Sequence, residues 1–350
     1  MMTAFRISIA WLACASAFVV SCTTGGPGGS PPVTVKRTQM HMGTLVSITA
    51  VGSTDREAHE AITAGFQEVK RLEQLLSTWI PESELSRVNR AAGRQAVFVG
   101  RETMTVVRRS LQVAEMTDGA FNIAIGPAID AWNISDTPRM PSADELNAVK
   151  PLVDLKFVQA DVWEQTVFLE KPGMRIDVGG IGKGYAADQA VMVMKQAGAI
   201  AGLVALSGDI KTFGRLPDGV SFLVGIRHPR KEGEILAEIE LQDEAISTAG
   251  DYERFLEKDG VRYHHILDPR TLHPARGCQS VSVIAKEGIW ADGLDTGIFV
   301  LGPERGMELV EHLDDVEAII VDAEGQVRVS SGLRNRVRLS EGAALEGPRQ

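Results

Sequence analysis

Apolar and polar residues change period several times along this chain, and each change marks an element. Residues 33–51 are rich in β-branched side chains and read as strand, broken at Met42-Gly43-Thr44. Over residues 55–77 the period lengthens: Ala58, Ile62, Phe66, Val69, Leu72 and Leu76 recur near helical spacing, which predicts the clearest helix. Pro81 to Ser86 reads as a turn into a short helix. Residues 102–117 are again amphipathic and stop at Asp118-Gly119, a helix exit. A loop-rich stretch holding Pro127, Pro138 and Pro141 leads to a helix over Ala143–Val149.

Further on, 185–197 reads as helix and 203–206 as a buried strand. Strands are expected at 222–226, 236–241 and 245–248, an antiparallel set separated by glycines and charged turns. Cys278–Ala285 alternates as a strand. Helices at 292–300 and 303–312 and strands at 318–321 and Val327–Val329 follow. Strands and helices do not alternate regularly, so the pattern favours α+β, with mixed or antiparallel sheets and packed helices, over a doubly wound sheet.

The ends fall outside that pattern. Arg6 precedes an apolar run from Ile7 to Val20, too short for a stable membrane helix and suited to a signal-peptide core. Val19-Val20-Ser21-Cys22 resembles a bacterial lipoprotein cleavage box, and a Thr/Gly/Pro/Ser tether follows at once. The expected organisation is a signal peptide at 1–21, a flexible tether at 22–32 beginning with lipidated Cys22, one domain at 33–340, and a disordered tail at 341–350. A lipid-anchored protein on the outer face of a bacterial membrane is implied. Cys14 lies in the signal and Cys22 in the cleavage box, which leaves Cys278 alone, expected as a small buried residue. A formal net charge of −10, without a basic cluster interleaved with aromatics, disfavours nucleic acid.

Three segments carry chemistry. Asp177-Val178-Gly179-Gly180-Ile181-Gly182-Lys183-Gly184-Tyr185 opens a helix, and such a run lets backbone N–H groups and a cation approach a phosphate. It is not a Walker A loop, because Gly184 follows Lys183 where Ser or Thr should stand. A tight turn with close helix packing is the other reading. Asp292, Asp295 and Thr296 lie at i, i+3 and i+4, so one helical face offers two carboxylates and a hydroxyl to a hard cation. An acidic cap on a helix start is the alternative; as ligands, both aspartates are expected outside the core. His264-His265 precedes a Pro turn, and one imidazole there suits a general base; a structural histidine beside a surface one is the alternative.

Taken in order, Met42-Gly43-Thr44, Leu76-Ser77-Thr78-Trp79, Ser83 to Asn89, Asp118 to Asn122, Asp177 to Tyr185, Ser207-Gly208-Asp209, His265 to Thr271 and Ala291 to Thr296 resemble the ApbE family of FAD:protein FMN transferases. The resemblance covers nearly the whole chain beyond the tether. It implies FAD as substrate, bound between two intimately joined lobes with Mg2+ on its pyrophosphate. It implies that Met42, Trp79, Ala120, Phe121, Asn122, Asp177, Lys183 and Ile266 contact FAD. Gly180, through its carbonyl, with Asp292, Asp295 and Thr296, would hold the metal; His265 and Lys183 would be catalytic, with His264 the second choice of base. Asn122 stands where relatives often carry Asp. The implied partner is an acceptor flavoprotein with a Ser/Thr-Gly-Ala-Thr-like motif, a subunit of an ion-pumping redox complex. An FAD pyrophosphatase and a non-catalytic flavin-binding lipoprotein are the competing readings.

Overall fold

The computed structural model describes residues 31–340. The expected signal peptide, Cys22 with most of the tether, and the tail at 341–350 lie outside the described residues. At the centre is an eight-stranded sheet: β1 (Val33–His41), β2 (Thr44–Gly52), β3 (Ala201–Leu206), β4 (Asp209–Phe213), β5 (Ala245–Gly250), β6 (Cys278–Ala285), β7 (Val316–Asp322) and β8 (Val327–Val329). Its spatial order is the chain order, and every neighbouring pair is antiparallel. Most of the remaining described residues are inserted between these strands.

Three helices cover one face: α1 (Asp55–Leu76), α2 (Gly182–Gln196) and α3 (Gly288–Leu301). α1 starts where Thr54 accepts the Glu57 N–H at 3.2 Å, and it buries Ile62, Phe66, Val69, Leu72 and Leu76 along one stripe. Each such side chain contributes ~1.5–3 kcal/mol on burial; truncating fully buried Leu72 to Ala should cost ~2–5 kcal/mol. α3 differs, being apolar nearly all round and buried along most of its length. Against the opposite face of the sheet lies a small antiparallel sheet of Phe222–Arg227, Ile235–Leu241 and Val337–Leu339. Val224, Ile239 and Leu241 pack there against Ile246, Ile284 and Ile319. A helix-rich insertion between β2 and β3 carries further helices Glu84–Arg90, Arg101–Met116, Gly126–Trp132 and Ala143–Val149.

The α+β class with antiparallel sheets is the one expected, but four local readings are corrected. β6 does not alternate between core and solvent; all eight residues are buried, because layers cover both faces, and Ser282 bonds Thr248 at 2.8 Å. Pro127 lies in a helix rather than a loop, in the first turn, where its missing N–H costs nothing. α2 starts at Gly182, before Tyr185. α3 starts at Gly288, a full turn before Asp292, so Asp292 is not a helix cap.

Candidate active site

Turn geometry brings the first residues together. The β1–β2 hairpin closes through Met42 and Gly43 at φ of 49° and 67°, the left-handed pair that matches strand twist. A methionine there is unusual, and its N–H is held by Glu73 Oε1 of α1 at 2.7 Å. The β3–β4 hairpin turns through Ser207 at φ 59°, with Ser207 N–H bonded to Leu45 O at 3.3 Å. Both turns therefore sit at one end of the sheet, where Asp209 begins β4.

Asp209 points to the helical side. The β4–β5 register, with Ala245 opposite Lys211 and Ile246 opposite Ile210, carries Ser247 to Asp209. Ser247 Oγ contacts Asp209, and it reaches Asp295 Oδ2 at 2.6 Å. Lys183, in the first turn of α2, bonds Asp209 through Nζ. From α3, Asp292 Oδ2 accepts the Gly184 N–H at 2.8 Å and Asp295 Oδ1 accepts the Thr296 hydroxyl at 3.0 Å. Asp209, Asp292 and Asp295 each present a carboxylate oxygen within 4.8 Å of the others, and all three are buried.

Three carboxylates against one ammonium leave this pocket short of positive charge. Burial, reinforced by Asp209, raises the Asp292 carboxyl above its ordinary value; burial and Asp292 do the same to Asp295. Burial opposes the Lys183 charge, yet Asp209 and Asp292 outweigh it and hold that ammonium protonated. Ser247 has one hydroxyl hydrogen and two carboxylate partners, so one contact lacks a proton unless a carboxyl supplies it. An all-oxygen donor set with surplus negative charge fits a hard divalent cation. The expectation that Asp292 and Asp295 stand outside the core is corrected: each is 2% exposed. Gly180 lies beside them, since a Cβ there would stand 3.1 Å from Thr296 Oγ1 and 3.4 Å from Phe121 Cε2.

The glycine run combines both of its readings. Gly182 N–H bonds Val178 O at 2.8 Å, which turns the chain into α2 with Lys183 in place. At Gly184 a Cβ would lie 2.0 Å from the Gly288 carbonyl, so this glycine serves close helix packing. Asp177 accepts the Gly179 N–H at 2.8 Å and the Thr78 hydroxyl at 3.2 Å, which sets Trp79, a residue 73% exposed, beside this loop. Asn122 caps the next turn, accepting Ala124 N–H at 2.7 Å. Ala120, Phe121 and Ile266 are buried.

The histidines separate. His264 is buried, with Nε2 on Ala275 O at 2.7 Å and Nδ1 accepting Ile266 N–H at 3.3 Å. Both nitrogens are engaged and burial pushes its pKa down to about 4, which makes His264 structural. His265 has only Nδ1 engaged, on Arg254 O at 3.3 Å; this contact assigns the proton to Nδ1 and leaves Nε2 as acceptor. Partial burial, with Arg254 nearby, lowers its pKa and keeps the ring neutral. Sequence reasoning assigned no role to Asp209 or Ser247. The Ser207-Gly208-Asp209 turn was the available signal for the first; Ser247, in an apolar strand, offered none.

Several known proteins are similar to this chain. A family model described as the ApbE family matches residues 42–320. A Treponema pallidum (strain Nichols) protein named FAD:protein FMN transferase is 33% identical over 338 residues, 91% of this chain and 93% of its own. The protein of that name from Escherichia coli (strain K12) is 33% identical over 245 residues, 68% of this chain and 70% of its own. Among solved structures, the ApbE protein of Thermotoga maritima aligns with a TM-score of 0.80 at 30% identity, over 86% of this chain and 98% of that one. Flavin transferase ApbE from Vibrio cholerae aligns at 0.78 and 27% identity, over 87% and 100%.

Proposed function

This chain belongs to the ApbE family, and from that premise we propose that it moves FMN from FAD to a Thr or Ser hydroxyl of an acceptor flavoprotein. The observation that carries the reading is Lys183 at the start of α2, facing three buried carboxylates. A pyrophosphate can bind there only with added positive charge. Asp292, Asp295, Thr296 and the Gly180 carbonyl would hold Mg2+, with Asp209 beside them. When bound, the metal would supply charge against the phosphoryl oxygens as the reaction proceeds.

The residues divide the remaining work. In the proposed reaction the acceptor hydroxyl oxygen bonds to the FMN-side phosphorus, and the phosphoanhydride bond to AMP breaks. AMP leaves with that electron pair, and FMN remains on the acceptor as a phosphoester. The hydroxyl proton passes to His265 Nε2, the free nitrogen of a neutral ring. Because that ring is a weak base, transfer accompanies bond formation rather than preceding it. Lys183 holds a phosphoryl oxygen, and Trp79, Met42, Asp177, Asn122, Ala120, Phe121 and Ile266 line the flavin nucleotide.

We extend the proposal to place and partner. Cys22 carries a lipid that anchors the enzyme at the outer face of a bacterial membrane, and the acceptor is a subunit of an ion-pumping redox complex; the cleavage-box sequence and the family resemblance support these points. Incubating the protein with FAD, Mg2+ and a protein bearing a Ser/Thr-Gly-Ala-Thr-like motif, then weighing the acceptor intact, tests the reaction. An acceptor heavier by one FMN, less water, is expected. Free FMN with unmodified acceptor would indicate a pyrophosphatase, and unchanged FAD a binding protein.

A further inference from the structure

α3 carries the two buried aspartates, yet its own sequence leaves its start uncapped. Glu287, at the cap position, makes no side-chain hydrogen bond there, so the first N–H groups need an outside partner. α2 supplies it. Asp188 Oδ1 accepts the Gly288 N–H at 2.7 Å, and Oδ2 accepts the Ile289 N–H at 3.0 Å. Asp188 follows Gly184 by four residues, so both lie on the face of α2 turned to α3. On that face Gly184 touches Gly288 without room for a Cβ on either residue, and the Gly184 N–H holds Asp292. Asp188, the Gly184–Gly288 contact and the Gly184–Asp292 bond thus form three successive ties between the helices.

We infer that Asp188 is a positioning residue for the cation site: its carboxylate fixes where α3 starts along α2, and so sets Asp292 and Asp295 against Lys183 and Asp209. It touches neither the carboxylate cluster nor any group assigned to substrate. The inference rests on the reading of that cluster as a metal site. A cap that merely stabilised α3 would shift melting temperature and leave cation affinity alone. A carboxylate that sets ligand placement shifts affinity, as groups supporting metal ligands do by ~10–100-fold.

The test uses metal-free wild type, Asp188→Asn and Asp188→Ala, titrated with MgCl2 by calorimetry and followed by FMN transfer over a magnesium series. Asn keeps one acceptor but turns an amide N–H2 toward the second backbone N–H. The expected result is a magnesium dissociation constant raised ~10-fold or more in both variants, with transfer recovering toward wild type at high magnesium. Variants that bind magnesium within twofold of wild type, whatever their melting temperature, overturn the inference and leave the metal reading intact. Wild type that binds no magnesium overturns that reading itself. If Asp188→Ala does not fold, Asp188→Asn carries the comparison.

Discussion

At the scale of single residues, the site sets a neutral histidine beside buried acids whose pKa values are raised. Neutral His265, with Nε2 free, leads to one expectation. His265→Ala should leave FAD affinity unchanged and lower single-turnover FMN transfer by ~10² or more, while Lys183→Ala should weaken both. Normal transfer by His265→Ala would remove the base assignment. The acid cluster leads to another. A carboxyl whose folded pKa is raised stabilises fully below the unfolded value of ~3.9, and that contribution is lost as pH rises through the folded value, about 7 for Asp292. In chelator, wild type should therefore lose melting temperature relative to Asp292→Asn between pH 5 and pH 8, and Mg2+ should restore it only in wild type. The histidine contributions run the other way, being lost as pH falls from ~6.5 toward about 4, but they cancel in this comparison. A melting-temperature difference that ignores pH would contradict the charge imbalance.

At the scale of elements, α2 and α3 form the working unit and α1 the support. Gly184 and Gly65 make the contrast testable. A Cβ at 184 meets the Gly288 backbone, which cannot yield, whereas a Cβ at 65 meets the far end of Ile48 at 2.9 Å and flexible Met194 at 3.3 Å. Gly184→Ala should cost ~1–3 kcal/mol or more and abolish transfer; Gly65→Ala should stay within ~1 kcal/mol of wild type and transfer normally, as chemical denaturation and acceptor mass will report. The same elements mark what the sequence made legible. α1 was plain because its apolar stripe has one side in the core. The start of α3 is not legible because an all-buried helix lacks a polar face to set its period, and Asp292 reads equally well as a cap. Lys183 is legible through the glycines around it, and Asp292, Asp295 and Thr296 through their i, i+3, i+4 spacing. Asp209 and Asp188 went unassigned because their partners lie 26 and 100 residues away along the chain, a distance no local pattern spans.

At the scale of the whole molecule, every site group falls within residues 42–296, later in the sequence than the Cys22 proposed to carry a lipid. Cys22→Ala should therefore release the protein from membranes, or leave its signal uncleaved, without reducing transfer; processed mutant still bound to membranes would end the anchor proposal. The sheet has a further consequence, for assembly. Since spatial order repeats chain order, β3 to β8 can zip together strand by strand, each meeting a partner just formed, and α3 and Asp209 belong to that half. The β2–β3 pairing must instead close the long insertion between Gly52 and Ala201. Each doubling of a loop adds only ~0.6 kcal/mol, so this burdens speed more than final stability. In pulse-labelled refolding, amides of β5 to β7 should gain protection first, and the Met42 turn last. The pocket would then acquire its acids before its flavin-facing wall.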